Sequence, residues 1–336
     1  MTRTVFLGTG HYVPEKVVTN DDLAKMFDTS DEWIQQRTGI KERRYVDWDK
    51  EPLGSSDLGT RAAKAALENA GVAKDEIDCI IYATLSSDRV FPGDGVLVQA
   101  KLEVPAGVPA FDVRNQCSGF LYSLAMADAF IRVGTYRRVL VVGAEVHSSG
   151  LEFADRGREV TVIFGDGAAA CVLGPSETDD GRGVLSVHLH ADGRFAHELQ
   201  VPYPSSAKFP RLVPEGLKDG NQYPQMNGKN VFKHAVVRMP EAVVEALTKN
   251  KLTPKDIKLF IPHQANQRIT DMVQRRLDLS DDQVFSNIAH YGNTTAASIP
   301  LALDQAVKAG RIERGDLVCL ASFGAGFTWG SALIRW

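Results

Sequence analysis

What most constrains this chain is a repeated switch between two periodicities. Ser56–Gly71 carries Leu58, Ala62, Ala63, Ala66, Leu67 and Ala70 on one helical stripe and ends at a glycine. Cys79–Thr84 follows as a short run with no polar alternation, the pattern of a strand covered on both faces. Ser118–Val133 and Arg138–Gly143 repeat the pairing of helix and buried strand. Such a rhythm predicts an α/β fold with largely buried sheets.

A weak internal echo bears on domain organisation. Lys74-Asp-Glu-Ile-Asp-Cys-Ile-Ile81 is similar to Lys255-Asp-Ile-Lys-Leu-Phe-Ile261, each closing a helix and opening a strand. Each is followed by a small-residue segment that opens a helix, Cys117-Ser-Gly in one case and Asn293-Thr-Thr-Ala-Ala in the other. Any α/β protein repeats such units. The sharper reading is a duplicated chain, with one half at 1–180 and the other at 181–336. Residues 194–230 break the rhythm, since Pro202, Pro204, Pro210, Pro214 and Pro224 put five of 15 prolines there. Prolines remove backbone donors, so a regular sheet or long helix is not expected in this segment. It reads as a surface excursion near a binding site or as a passive decorated loop.

Composition excludes several classes. Lys and Arg total 38 against 42 for Asp and Glu, a net charge of −4, which argues against nucleic acid as the main partner. Val5, Phe6 and Leu7 before Gly8 are too few for a signal-peptide core, and no apolar stretch approaches a membrane span. Cys79, Cys117, Cys171 and Cys319 are widely spaced, with no CxxC. A reducing cytoplasm, no disulfide framework and no metal site are expected.

Three positions stand out chemically. Cys117 sits at a strand-to-helix turn among polar and small residues, where the positive end of a helix favours thiolate; Gly119 beside it would admit a close approach. The other three cysteines lie in apolar strands and read as small hydrophobes. His263, in Phe260-Ile-Pro-His-Gln-Ala-Asn266, is placed at the carboxyl edge of a strand, where open α/β sheets keep their sites, although a lone histidine is more often packed or exposed. Asn293 precedes small residues and reads equally as a helix cap. The glycines of Ser322-Phe-Gly-Ala-Gly-Phe-Thr-Trp-Gly330 precede no helix, so they suit a loop of backbone donors better than a dinucleotide fingerprint.

Taken in order, the motifs resemble the β-ketoacyl-acyl-carrier-protein synthase III family of condensing enzymes. The resemblance runs nearly end to end and rests on Asp31-Glu-Trp-Ile, Arg37-Thr-Gly-Ile-Lys-Glu-Arg43, Cys117-Ser-Gly-Phe, Asp155-Arg-Gly, Phe164-Gly-Asp-Gly, His188-Leu-His-Ala-Asp-Gly, Pro262-His-Gln-Ala-Asn, Gly292-Asn-Thr and Phe323-Gly-Ala-Gly-Phe. It implies a thiolase-like five-layered αβαβα fold of two duplicated halves, and a homodimer. It implies that Cys117 takes an acyl group from acyl-CoA, that His263 and Asn293 support decarboxylation of a malonyl thioester, and that backbone N–H groups of Cys117 and Ala325 form the oxyanion hole. No cofactor is implied beyond the CoA thioester substrates. Trp33 and Arg156 would flank the adenine and Arg37 the phosphates, while Asn230 and Asn266 would line the pantetheine tunnel with Phe323 nearby. Phe91 would bound the acyl pocket across the dimer. Lys233, Arg268, Arg275 and Arg276 would form a basic patch for acyl carrier protein, or merely a solvated helix face.

Asn115-Gln116 before Cys117, and the apparent length of segment 194–230, depart from the fatty-acid starter pattern. They leave open a specialised secondary-metabolite or alkylquinolone-type synthase. Simple acyl transfer is the first alternative, but it gives Asn293 no role. The order Cys, His, Asn also occurs in papain-like proteases, yet Cys117 lacks their flanking residues. A silent scaffold is disfavoured by the intact Cys117, His263 and Asn293.

Overall fold

The computed structural model describes residues 2–178 and 180–336. Its two large sheets are built from β1 (Thr4–Tyr12), β2 (Cys79–Ala83), β3 (Ala110–Val113), β4 (Val139–Glu145), β5 (Gly167–Pro175), β6 (Gly183–Ala191), β7 (Leu259–Pro262), β8 (Leu317–Gly324) and β9 (Thr328–Arg335). The helices that position the site are α1 (Asp31–Thr38), α2 (Ser55–Ala70), α3 (Asp94–Leu102), α4 (Gly119–Val133), α5 (Gly228–Lys249), α6 (Gln267–Leu277) and α7 (Ser298–Lys308). The helical stripe read from Ser56 becomes α2, closed by Gly71 at φ 62°, a left-handed cap that suits glycine.

The first sheet has the order β3-β2-β4-β5-β1, with β2 parallel to both neighbours and β5 antiparallel to both of its own. The second runs β7-β8-β9-β6, parallel at β7–β8 and antiparallel beyond. Setting β7 on β2, β8 on β4, β9 on β5 and β6 on β1 makes the second sheet a copy of the first without its β3 edge. At that edge Val284 makes only an isolated parallel bridge to Phe260. The internal echo has its physical counterpart here. Lys74–Glu76 and Pro254–Asp256 are matching 3-10 turns into β2 and β7, and the two small-residue segments lead into α4 and α7.

Side-chain alternation along the strands creates the layers. Cys79 and Ile81 of β2 face the core shared with α4 and α7, whereas Ile80 and Tyr82 face α2 and α3. Phe120 and Leu124 of α4 and Ile299 and Leu303 of α7 meet Val141 of β4 and Leu320 of β8, so these two helices lie between the sheets. On the far face of the second sheet, Met239 and Val243 of α5 and Val273 of α6 cover Phe260 and Cys319. The architecture is the expected five layers, αβαβα. Truncating Leu124 or Leu303 to alanine would cost about 2–5 kcal/mol, the price of a cavity at a fully buried site.

Close approach of the central layer depends on Gly143 of β4, where a Cβ would come within 2.5 Å of the Ala296 carbonyl oxygen. That contact brings the segment carrying Asn293 down onto the first sheet. Segment 194–230 forms no regular sheet or long helix before Gly228. It contains 3-10 turns at Gly193–Glu198 and Pro214–Leu217, and a two-residue pairing of Leu199–Gln200 with Gln225–Met226. Among the described residues no helix is long and apolar enough to cross a membrane, and no group of three or more His, Cys, Asp or Glu is arranged to hold a metal ion.

Candidate active site

Cys117 lies between β3 and α4, in the single 3-10 turn Gln116–Ser118 at the start of α4. Two hydrogen bonds stitch this turn to the β8–β9 hairpin: Ser322 Oγ donates to the Cys117 carbonyl at 2.8 Å and Ser118 Oγ to the Thr328 carbonyl at 3.1 Å. The hairpin comes so close that a Cβ on Gly324 would stand 2.5 Å from Cys117 Cβ and 3.0 Å from its Sγ. The close approach expected at Gly119 is made by other segments of the chain. The open side of this glycine faces the Ala83 and Ala296 side chains, so it serves helix packing and not substrate approach.

The expectation of a thiolate at rest is also corrected. Burial pushes the Cys117 thiol up to about 12, with Glu145 adding to the rise, while the backbone N–H groups of Ala325 and of Cys117 itself pull it down. Desolvation therefore outweighs the helix end. Even so, Cys117 differs from Cys79, Cys171 and Cys319, whose pKa values burial also raises and which have no such donors acting on them.

His263 follows β7 and is 3% exposed. Its Nδ1 lies 2.6 Å from Ser298 Oγ, at the start of α7, and its Nε2 is buried with no partner among the described residues. Burial lowers its pKa to about 3, so the ring is neutral. Asn293 is not the cap of α7. Its backbone is pinned across the halves, with its N–H donating to the Ile163 carbonyl at 2.9 Å and its carbonyl accepting from Gly165 N–H at 3.1 Å. Its Oδ1 accepts from Thr295 N–H at 2.8 Å, which fixes the amide and leaves Nδ2 available. Cys117, His263, Asn293 and Phe323 all line one cavity of ≈ 610 Å³. An orphaned imidazole nitrogen and an oriented amide that share a cavity with a buried thiol could serve an anionic oxygen beside a nucleophile.

That cavity continues outward into a second, of ≈ 580 Å³, through Trp33, Arg37 and Met226. Trp33 and Arg37 are carried by α1, whose start is capped by Ser30 Oγ accepting from Trp33 N–H at 3.1 Å. The Arg37 and Arg158 guanidinium groups stand 4.3 and 4.1 Å from the Trp33 ring centre. Arg156 lines the outer cavity with Trp33 and pairs with Glu152, while Arg158 stands over the Trp33 ring. Asn266 lines the inner cavity, with its Nδ2 donating to the Arg37 carbonyl at 2.9 Å. Asn230 does not line it: its amide donates to Glu198 Oε1 at 2.6 Å, and Asn227 and Lys229 face the cavity instead. The position expected to bind in the tunnel is displaced by the turn that starts α5. The Pro-rich excursion walls the whole path, since Leu199, Pro224 and Met226 each border two cavities.

Other motif residues hold the frame. Arg43 is fully buried and donates to the Val162 and Val18 carbonyls at 2.8 and 3.2 Å. Asp166 accepts from the backbone N–H groups of Val46, His147 and Ser148. His188 and His190 both pair with Glu245. Phe91 is 82% exposed and borders none of the cavities described. Lys233 on α5 and Arg268, Arg275 and Arg276 on α6 are all exposed, on helices that share one core. Ser298, Arg158, Asn227, Lys229 and His147 escaped the sequence reading. A second arginine beside the Asp155-Arg-Gly motif was the one available signal, because the other four act through orientation.

The model for "3-Oxoacyl-[acyl-carrier-protein (ACP)] synthase III" matches residues 111–193, and the model for its C-terminal part matches 247–336. A "Beta-ketoacyl-[acyl-carrier-protein] synthase III" from Rhodospirillum centenum is 48% identical over 339 residues, covering 99% of both chains. The chain belongs to the β-ketoacyl-acyl-carrier-protein synthase III family. The crystal structure of 3-oxoacyl-[acyl-carrier-protein] synthase III from Aquifex aeolicus is 42% identical, with a TM-score of 0.89 over 100% of both chains. The priming β-ketosynthase of the R1128 polyketide biosynthetic pathway is 33% identical, with a TM-score of 0.87 over 99% of this chain and 96% of that one. The two family models leave 194–246 unmatched, whereas the Rhodospirillum centenum relative spans 99% of this chain, the Pro-rich excursion included.

Proposed function

We propose that this protein is an acyltransferase that joins an acyl-CoA primer to a malonyl thioester on acyl carrier protein, with loss of carbon dioxide, at the initiation of fatty-acid synthesis. The observation that carries this reading is the cavity shared by the Cys117 thiol, the orphaned His263 Nε2 and the oriented Asn293 amide. The nucleophile stands in the 1–180 half and its two partners in the 181–336 half, so the site would need both.

Cys117 attacks the acyl-CoA carbonyl carbon. A carbon–sulfur bond forms at Cys117, the bond to CoA breaks, and CoA leaves as its thiol with the proton. A malonyl thioester then enters by the same path. Its carboxylate carbon leaves as carbon dioxide, and the electron pair of the broken bond becomes an enolate. His263 Nε2–H and Asn293 Nδ2 donate to that oxygen. A Ser298 hydroxyl that donates to Nδ1 would hold the ring proton on Nε2, which would make Ser298 a positioning residue. The nascent carbanion attacks the acyl-cysteine, and the tetrahedral oxyanion is held by the backbone N–H groups of Cys117 and Ala325. Collapse expels the cysteine and yields the 3-oxoacyl thioester.

Trp33, Arg37 and Arg158 would hold the CoA nucleotide, and Arg156, which lines the same outer cavity, would leave Glu152 to join them. Asn266, Asn227 and Lys229 would meet pantetheine. Lys233, Arg268, Arg275 and Arg276 would dock the acidic carrier protein. The exposure of Val90 and Phe91, 74% and 82%, supports a homodimer in which Phe91 reaches the partner's primer cavity. Incubation with a panel of acyl-CoAs, followed by intact mass of wild type and Cys117→Ser, tests the first step. An acyl mass on wild type alone is expected, and no mass on either protein contradicts the reading.

A further inference from the structure

Beyond Cys117 a third cavity, of ≈ 420 Å³, shares Cys117, Phe164 and Leu199 with the inner tunnel. If the tunnel carries pantetheine, this cavity is where the acyl chain of the primer lies. Leu85, Phe164 and Val201 would suit any hydrocarbon. Five polar side chains would not, namely Arg114, Gln116, His147, Gln200 and Thr295; Arg114 and Gln200 are exposed at the rim, and Thr295 is taken up by His147. Gln116, held at φ 41°, brings an amide to the wall next to Cys117, and His147 brings an imidazole that is only 6% exposed.

His147 follows β4, and its backbone N–H is fixed by Asp166 Oδ1 at 2.7 Å. The ring packs against Phe164, with centres 4.5 Å apart, and Nε2 lies 2.7 Å from Thr295 Oγ1. Nδ1 has no protein partner among the described residues. Whichever tautomer forms, one ring nitrogen therefore remains for whatever fills the cavity. Burial lowers the imidazole pKa to about 3, so it is a neutral hydrogen-bonding group and not a cation. A plain hydrocarbon chain would displace water from Nδ1 and from the Gln116 amide and give neither a partner. Sites built around such groups reject analogues that lack the matching oxygen more strongly than apolar pockets reject an added hydroxyl.

We propose that this cavity selects a primer whose acyl chain carries an oxygen, as hydroxyl or ketone, close to the thioester, and that His147 with Gln116 recognises it. The proposal rests on the condensing-enzyme reading and specifies its primer class. A competing role for His147 exists, because Thr295 N–H also holds Asn293 Oδ1. In that case the histidine would only position the decarboxylation machinery.

The test is a competition between 3-hydroxybutyryl-CoA and butyryl-CoA for Cys117, read by intact mass, with decarboxylation of malonyl thioester measured separately. Wild type is expected to favour the hydroxylated primer about tenfold, the discrimination of one buried hydrogen bond. His147→Leu should erase or reverse that preference while decarboxylation changes little, and His147→Asn should retain part of it. Equal or butyryl-favoured loading by wild type overturns the proposal, whether or not a variant folds. So does a His147→Leu protein that slows decarboxylation and leaves the primer ratio untouched. Loading of butyryl without preference leaves the condensing reading standing, whereas failure to load any acyl-CoA removes both.

Discussion

At the scale of single residues, the site combines a cysteine that burial disfavours as an anion with an imidazole that burial keeps neutral and an amide that carries no charge. With His263 lowered to about 3, its neutral form dominates from well below neutrality upward. Decarboxylation of malonyl thioester is accordingly expected to show no acid limb near the ordinary histidine pKa of about 6.5. A stopped assay of that half-reaction between about pH 5 and about pH 8 checks this, and a limb in that window would mean an imidazolium at work. The Cys117 thiol, raised to about 12, should instead alkylate faster with each step up in pH over the same range. The same neutral histidine bears on stability. A folded-state pKa below the unfolded value means that the unfolded chain binds the proton first, so stability is lost as pH falls from about 6.5 towards about 3.

Ser298 and Asn293 separate the two chemical steps. Replacing Asn293 by alanine removes one enolate donor and should cut condensation by about 10²–10³-fold while Cys117 still self-acylates. Ser298→Ala frees His263 Nδ1 and should slow decarboxylation by about tenfold without changing the KM for acyl-CoA. A primer KM that moves with it would indicate a structural role only.

At the scale of elements, the hairpin between β8 and β9 matters as much as any helix. Gly324→Ala would force Cβ into Cys117, so acylation should fall by about 100-fold even where the chain still folds. Alkylation kinetics beside a melting curve would separate the two effects. Much of this level was legible in the sequence. The stripe ending at Gly71, the buried strand at Cys79 and the turn at Cys117 were readable because local periodicity and turn chemistry are carried by neighbours in the chain. Glycine at 324 marked a backbone-donor loop, and Ala325 N–H does act on the sulfur. Asn293 reads as a helix cap from its neighbours alone. Its actual partners, Ile163, Gly165 and Thr295, are mostly far away in sequence, and a cross-half pairing leaves no local pattern. Arg158 stands over Trp33 unannounced, and Asn230 turns to Glu198 and away from the tunnel, for a similar reason. Which side of a turn a side chain leaves from depends on the surrounding packing.

At the scale of the whole molecule, duplication explains why the site falls where it does. Two copies of one sheet order share a central helix pair, and α4 and α7 start at the seam with Cys117 and Ser298 at their first turns. The surface then divides its labour. Arg37 and Arg158 attend Trp33 in the outer cavity, while Lys233, Arg268, Arg275 and Arg276 are exposed on α5 and α6, with Arg268 at the inner cavity. Charge reversal of Arg275 and Arg276 should raise the KM for malonyl-acyl carrier protein about tenfold, leave acyl-CoA loading unchanged, and weaken the salt dependence of the former.

The claim on which all of this depends is that carbon–carbon bond formation is coupled to loss of carbon dioxide through an acyl-cysteine. The most direct measurement supplies acyl-CoA together with malonyl-acyl carrier protein labelled at its free carboxyl, then counts labelled carbon dioxide, free CoA and 3-oxoacyl product. Equal amounts of the three with wild type, and no 3-oxoacyl product with Cys117→Ser, are the predicted result. Acyl transfer that releases CoA without labelled carbon dioxide would contradict it.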